Sequence, residues 1–266
     1  MNQSDSISLS VFTKPWRGPV AELAARMGAL GVAGVELPVR PGFQVEPQQA
    51  ARDLPAAARL FGQHGVAIAS IAATPTPELI ELCAGLGIPV IRTMAPIEHG
   101  RYAESVAQHQ RFYASLLPAL ERFGVVLGVQ NHYGAYVCNA MGLRDLLAPF
   151  DTPVIGAVWD AAHNALAGEE PELALDIVWP ILRMVNLKNA RWQRAADHTW
   201  QPFWTTGADG LASWPRVVAE LRRRQYRGTV CLTAEYTHES AVDALIAVDV
   251  AYVRDLLAES VARQSE

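Results

Sequence analysis

Lysine is nearly absent from this sequence: of 22 basic residues among 266, only Lys14 and Lys188 are lysines, and the others are arginines. Acidic residues outnumber basic ones, 27 to 22, which leaves a net charge of −5 and no cationic face to neutralise a nucleic-acid backbone. Nucleic acid is not the expected partner. Cysteine is scarce as well. Cys83, Cys138 and Cys231 are odd in number and far apart, with no C-x-x-C pair, which argues against a disulfide framework and a thiolate zinc centre. No apolar run approaches the roughly 18 residues that span a bilayer, and the run from Ile7 to Phe12 behind the polar opening MNQSDS is too short for a signal peptide. The expectation is a soluble cytoplasmic chain with no membrane partner. Also missing are G-x-G-x-x-G, G-x-x-x-x-G-K-[ST] and G-x-S-x-G. Without them dinucleotide, nucleoside triphosphate and serine-hydrolase chemistries have no anchor, and no nucleotide cofactor is expected.

What the chain does have is a repeated alternation. Short runs rich in Val, Ile and Leu start at Ile7, Val32, Val66, Ile88, Gly124, Pro153, Arg183 and Gly228, separated by stretches of helical periodicity. Val20, Leu23, Ala24, Met27 and Leu30 share one helical face, as do Ala241, Leu245, Val248, Tyr252 and Leu256. Eight nearly continuous apolar strands joined by helical crossovers predict a parallel sheet sheathed in helices. The strand count and a length near the typical ~250 residues favour an α/β fold of the closed (β/α)8 TIM barrel type over an open doubly wound sheet. No linker or composition break divides residues 1–266, so one domain is expected. Gly31, Gly65, Gly87 and Gly124 each precede a strand, where a left-handed residue ends the helix before it.

In a barrel of this kind the active site is built at the C-terminal strand ends. Those ends carry Glu36, then Gln130, Asn131 and His132, then Asp160 with His163 just beyond, then Asn186, Lys188 and Asn189, and finally Glu235. Strand parity makes them one cluster: if Asp160 points into the mouth, Val158 and Gly156 face inward beneath it and Trp159 faces the helices, while Asn186 and Lys188 share a face. Glu36 either faces substrate or pairs with Arg40 or Arg92. Trp16, Trp192, Trp200 and Trp204 are expected in loops after strands 1 and 7, where aromatic faces can pack on the C–H faces of a ligand and core filling is the alternative. Arg191 and Arg194 precede the loop TTGADG, and either recognises a carboxylate or phosphate or is solvated surface charge.

Three segments carry a family resemblance: VIGAVWDAAHNALAGE at 154–169, VNLKNARW at 185–192 and GLASWPRVVAELRRRQYRGTVCLTAEY at 210–236. With these segments the chain resembles the sugar phosphate isomerase/epimerase family of xylose isomerase-like TIM barrels. The resemblance implies a small-molecule carbohydrate substrate and one Mn²⁺-like divalent ion held by Glu, Asp, His and Glu on strands 5 to 8. Asp160 and Glu235 match two of those ligands, and His163 matches a substrate-contacting His that follows the Asp by three residues. Gln130 and Asn186 stand where Glu and His are expected. Two neutral amides remove a formal negative charge, so a Mn²⁺ or Mg²⁺ ion held by Gln130, Asp160, Asn186 and Glu235 would be held weakly.

With one of two expected acid/base carboxylates missing, the surviving Glu235 fits a proton shuttle on one face of the sugar better than a two-base inversion. The expected roles are Glu235 as base, Lys188 and His163 at a developing oxyanion, and His132 as a second acid or base near neutral pH. Glu36, Arg191, Trp16 and Asn189 are the expected substrate contacts. The leading function is a carbohydrate isomerase or epimerase-like enzyme. Its alternatives are a keto-sugar or cyclitol lyase on the same site and a sugar-binding barrel without catalysis. Oligomeric state is open, a homo-oligomer included.

Overall fold

The computed structural model describes residues 7–262, so the MNQSDS opening and the last four residues lie outside the described residues. Eight strands close into a parallel barrel: β1 Ser8–Phe12, β2 Gly34–Pro38, β3 Ala67–Ala72, β4 Val90–Met94, β5 Val126–Gln130, β6 Ile155–Asp160, β7 Leu182–Leu187 and β10 Thr229–Leu232. Each expected run supplies one of them. β1 pairs with both β2 and β10, which closes the ring. The expected (β/α)8 TIM barrel is the observed fold. None of its described helices is long and apolar enough to cross a membrane.

Among the described residues nine α-helices accompany the strands: α1 Val20–Leu30, α2 Ala50–Gly62, α3 Pro77–Gly85, α4 Tyr102–Phe123, α5 Ala140–Leu147, α6 Ala161–Leu166, α7 Pro171–Val178, α8 Trp214–Arg223 and α9 Val242–Ala262. Leu23, Ala24 and Met27 of α1 are buried as its periodicity requires. Gly31 and Gly124 end α1 and α4 at φ of 70° and 66°, the left-handed geometry that lets each chain turn straight into the next strand.

The interior obeys the expected parity. Phe12, Ala72, Val158, Met184 and Cys231 form an apolar cluster inside the ring, whereas Trp159 joins the larger core between sheet and helices. Gly128 on β5 makes room for this interior: a Cβ there would lie 2.5 Å from Val158 Cγ2. Inward residues one layer higher are polar, and they form the floor of the mouth.

One element departs from expectation. The stretch after β7 is not a loop but an antiparallel hairpin, β8 Asn189–Arg194 and β9 Trp200–Thr205, standing outside the barrel sheet. Trp192, Trp200 and Trp204 therefore sit on strands. The charged and polar residues of this arm obscure its strand alternation, because a two-stranded ribbon in solvent needs no continuous apolar face.

Candidate active site

Two clusters of charge occupy the C-terminal mouth of the barrel. The first runs across β2 to β6. Glu36 accepts from Arg92 Nε at 2.6 Å and from Ser70 Oγ at 3.3 Å. Arg92 Nη1 donates to Gln130 Oε1, and Gln130 Nε2 donates to Asp160 Oδ2 at 2.7 Å. All five side chains are buried. Partners at both ends fix the Gln130 amide, since its oxygen faces a guanidinium and its nitrogen a carboxylate. Burial works against the Arg92 charge, but Glu36 beside it more than offsets that and leaves its pKa raised.

Asp160 ends β6 and caps α6, accepting from the His163 backbone N–H at 3.1 Å. Asn131 clamps its backbone from the neighbouring strand: Oδ1 accepts from Asp160 N at 2.7 Å, and Nδ2 donates to Asp160 O at 3.2 Å. Desolvation raises the Asp160 pKa against the opposing pull of Lys188. His163 is fully buried with Nε2 3.9 Å from Asp160 Oδ2, and among the described residues neither ring nitrogen has a hydrogen-bond partner. It is walled in by His132, Tyr133 and Trp204, with ring centroids 4.1, 5.6 and 5.6 Å away. Burial and Lys188 lower both imidazole pKa values, His132 to about 4 and His163 well below the usual range, so both rings are neutral at pH 7. His132 Nδ1 is also engaged with the Tyr133 carbonyl at 2.9 Å. The expected second base is thus a poor one in this resting geometry.

The second cluster joins β1, β7 and β10. Glu235 Oε1 accepts from Lys14 Nζ and Oε2 from Lys188 Nζ, the latter at 2.7 Å. The two lysines of the chain converge on one carboxylate. Burial alone would raise the Glu235 pKa; Lys188 and Lys14 overcome it and hold the group well below the ordinary carboxylate range. Lys188 is 4% exposed and its ammonium lies 4.4 Å from the Trp204 ring centroid, whereas Lys14 is 41% exposed. Glu235, at 21% exposure, lines a cavity of about 330 Å³ with Lys14, Trp204 and Tyr236. It follows Ala234, whose φ of 51° is left-handed, so the chain turns sharply where the base candidate is presented. A larger cavity of about 560 Å³ opens over β2 to β4 and is lined by Arg40, Thr74, Thr93, Met94 and Tyr136.

The expected metal ligands do not fit a divalent ion as they are arranged. Gln130 offers its oxygen to Arg92, and both Glu235 oxygens face ammonium groups. A dication among them would meet Arg92, Lys14 and Lys188. Among the described residues no three His, Cys, Asp or Glu side chains are placed to hold a metal. Asn186 is the exception among the expected ligands: it is buried, and among the described residues both its amide oxygen and nitrogen lack partners, so it can still take a polar ligand.

The expected substrate contacts are otherwise engaged. Glu36 is sealed against Arg92. Asn189 uses its whole amide on the loop below it, donating to Gly207 O and Ala212 O at 2.8 Å and accepting from Ala212 N at 2.8 Å and Ala190 N at 3.0 Å. Arg191 pairs with Asp209 at 2.7 Å on the exposed hairpin, and Trp16 is a core residue whose Nε1 donates to Asp243 at 2.8 Å. Sequence reasoning underrated Lys14, Asn131 and above all Arg92. An arginine with inward parity inside the run IPVIRTM is the signal for the last, because a guanidinium in a barrel interior needs a buried counter-charge.

Residues 22–256 match the family model of the xylose isomerase-like TIM barrel. A D-psicose 3-epimerase from Clostridium cellulolyticum H10, crystallised with D-tagatose, superposes with a TM-score of 0.75 at 11% identity, covering 94% of this chain and 99% of its own. The 3-keto-D-glucoside 4-epimerase of E. coli gives 0.74 at 12%, covering 94% and 99%. A probable 3-DHS dehydratase of Bacillus anthracis gives 0.71 at 13%, covering 93% and 99%. A search of curated protein sequences finds no match. These structural likenesses speak to the fold alone, while the family model covers most of the sequence, and the chain belongs to the xylose isomerase-like TIM barrel family.

Proposed function

We propose that this barrel is a carbohydrate isomerase or epimerase-like enzyme that removes a proton next to a sugar carbonyl, with Glu235 as the base. The observation that carries the reading is the pairing of an ionised carboxylate with Lys188 at the edge of a cavity in the mouth. Proton abstraction beside a carbonyl moves negative charge onto the carbonyl oxygen, and a nearby ammonium stabilises that charge where it develops. In the free protein the lysines make Glu235 a weak base. A substrate oxygen that draws Lys188 toward itself leaves Glu235 with Lys14 alone and raises its basicity, so binding and activation are coupled. Asn186, with both amide atoms unpartnered, is the residue assigned to orient a substrate hydroxyl, and neutral His163 acts with Asp160 as a positioning pair. No step runs through a metal ion.

Similarity to epimerases acting on D-psicose and on a 3-keto-D-glucoside agrees with a sugar carbonyl as the reacting group. A second reading, loss of water from a keto sugar or cyclitol, is favoured by Lys14, a second ammonium on the same carboxylate that can protonate a departing hydroxyl. Both readings are tested by incubating ketohexoses and 3-keto sugars with the protein in D2O. Deuterium incorporation is expected with the wild-type chain and is expected to fall at least ~100-fold in Glu235→Gln. Undiminished exchange in that variant removes Glu235 from the base role, a mass loss of one water selects the dehydratase, and no exchange across the panel selects a sugar-binding barrel.

A further inference from the structure

Charged side chains of both signs gather in the inner mouth. Arg40, Arg92, Lys14 and Lys188 face Glu36, Asp160 and Glu235, and every one of these except Arg40 has an ion-pair or hydrogen-bond partner there. Arg40 sits just past the end of β2, where its backbone is fixed by a bond from its N–H to Val45 O at 3.2 Å. Its side chain is half-buried, and among the described residues nothing hydrogen-bonds or ion-pairs with the guanidinium. Glu36 and Glu235 act on it only from a distance. Burial first, and then repulsion from Arg92, lower its pKa, so its environment already disfavours the bare charge. A guanidinium held in this way carries five unused donors in a planar fork that matches a carboxylate or phosphate.

Arg40 lines the 560 Å³ cavity, within the range of small-molecule sites, together with the hydroxyl-bearing residues Thr74, Thr93 and Tyr136. The one carboxylate lining that cavity, Glu78, is exposed and turned onto the Thr76 hydroxyl and its own backbone N–H at the start of α3. Nothing there answers Arg40. We infer that Arg40 is the anion-recognition residue of this site, pairing with a carboxylate or phosphate on the substrate, so that the sugar handled by the barrel is an acidic derivative and not a neutral one. This rests on the reading of the mouth as a carbohydrate site, and it adds the substrate class.

Calorimetric titration of the wild-type chain with D-glucuronate, D-glucose 6-phosphate and D-glucose tests the inference, with Arg40→Met and Arg40→Lys as variants and a thermal melt to establish that each is folded. At least one of the two acids is expected to bind, and Arg40→Met is expected to weaken it tenfold or more, with Arg40→Lys in between and D-glucose indifferent to either change. Glucuronate alone identifies a carboxylate as the recognised group, and the 6-phosphate alone identifies a phosphate. Equal binding of the acid by wild type and Arg40→Met, or no binding of either acid by the wild type, overturns the inference. Deuterium exchange keeps the two claims apart: exchange into neutral sugars without acid binding defeats only the substrate class, and Arg40-dependent binding without exchange defeats only the base.

Discussion

Across β2 to β6 the charged side chains on the strands, Glu36, Arg92 and Asp160, are buried and answered by neighbours, with Arg40 just past β2 the exception, whereas across β1, β7 and β10 a carboxylate and the Lys14 ammonium border open space and Lys188 is buried beside the carboxylate. The first half is a chain of fixed bonds running from Glu36 through Arg92 and Gln130 to Asp160, in which Glu36 Oε2 lacks a partner among the described residues. The second has an ion pair that a substrate oxygen can compete for. On the proposed function the contrast gives scaffold to one half and chemistry to the other, although both stem from the same ring of strand ends.

Removing the guanidinium should break the scaffold half most severely. Arg92→Met leaves Glu36 ionised and buried without its counter-charge and is expected to cost about 3–5 kcal/mol in urea unfolding. The double substitution Glu36→Leu with Arg92→Met should recover most of that loss. A single variant as stable as wild type would mean that the network carries no structural weight.

The imidazole pair at the seam between the halves sharpens the comparison through pH. Folding keeps His132 and His163 neutral, with the His132 pKa lowered from 6.5 to about 4, while the unfolded chain binds protons below pH 6.5. The unfolded state therefore holds more protons on the acid side, and stability is present above pH 6.5 and lost as pH falls toward 4. A loss on the order of 2 kcal/mol is expected over that interval, reduced in His132→Gln. Unfolding free energies at matched ionic strength check the slope, and a flat profile contradicts neutral imidazoles.

The smallest effect expected is that of added metal. An ion held at 100 times its dissociation constant would add about 2.7 kcal/mol to stability. Millimolar Mn²⁺ should leave the melting temperature unchanged, because Arg92 and the two lysines already occupy the positions where a dication would gain most. A rise in the melting temperature that is abolished in Glu235→Gln would reverse this assignment.

Much of the barrel was legible because its determinants are local. Apolar runs, helical stripes and left-handed glycines repeat along the chain, and strand parity by itself puts Asp160, Val158, Asn186 and Lys188 on the inner side. The hairpin was hidden because a solvated ribbon has no long apolar face. Partners were less legible than positions: parity brings Arg92 inward but cannot say that its fork reaches both Glu36 and Gln130. Nor does it show that Lys14, 221 residues from Glu235 in sequence, closes on the same carboxylate. Such convergence depends on ring closure between the first and last strands, which no local pattern encodes.

Trp204, which roofs Lys188 and flanks His163, hangs from an arm that forms no ladder with the barrel strands. Lengthening, shortening or reshaping this arm can therefore change which molecules are admitted to the lysines while leaving every rung of the closed ring intact. Selectivity in this molecule can diverge without renegotiating the fold that supports it.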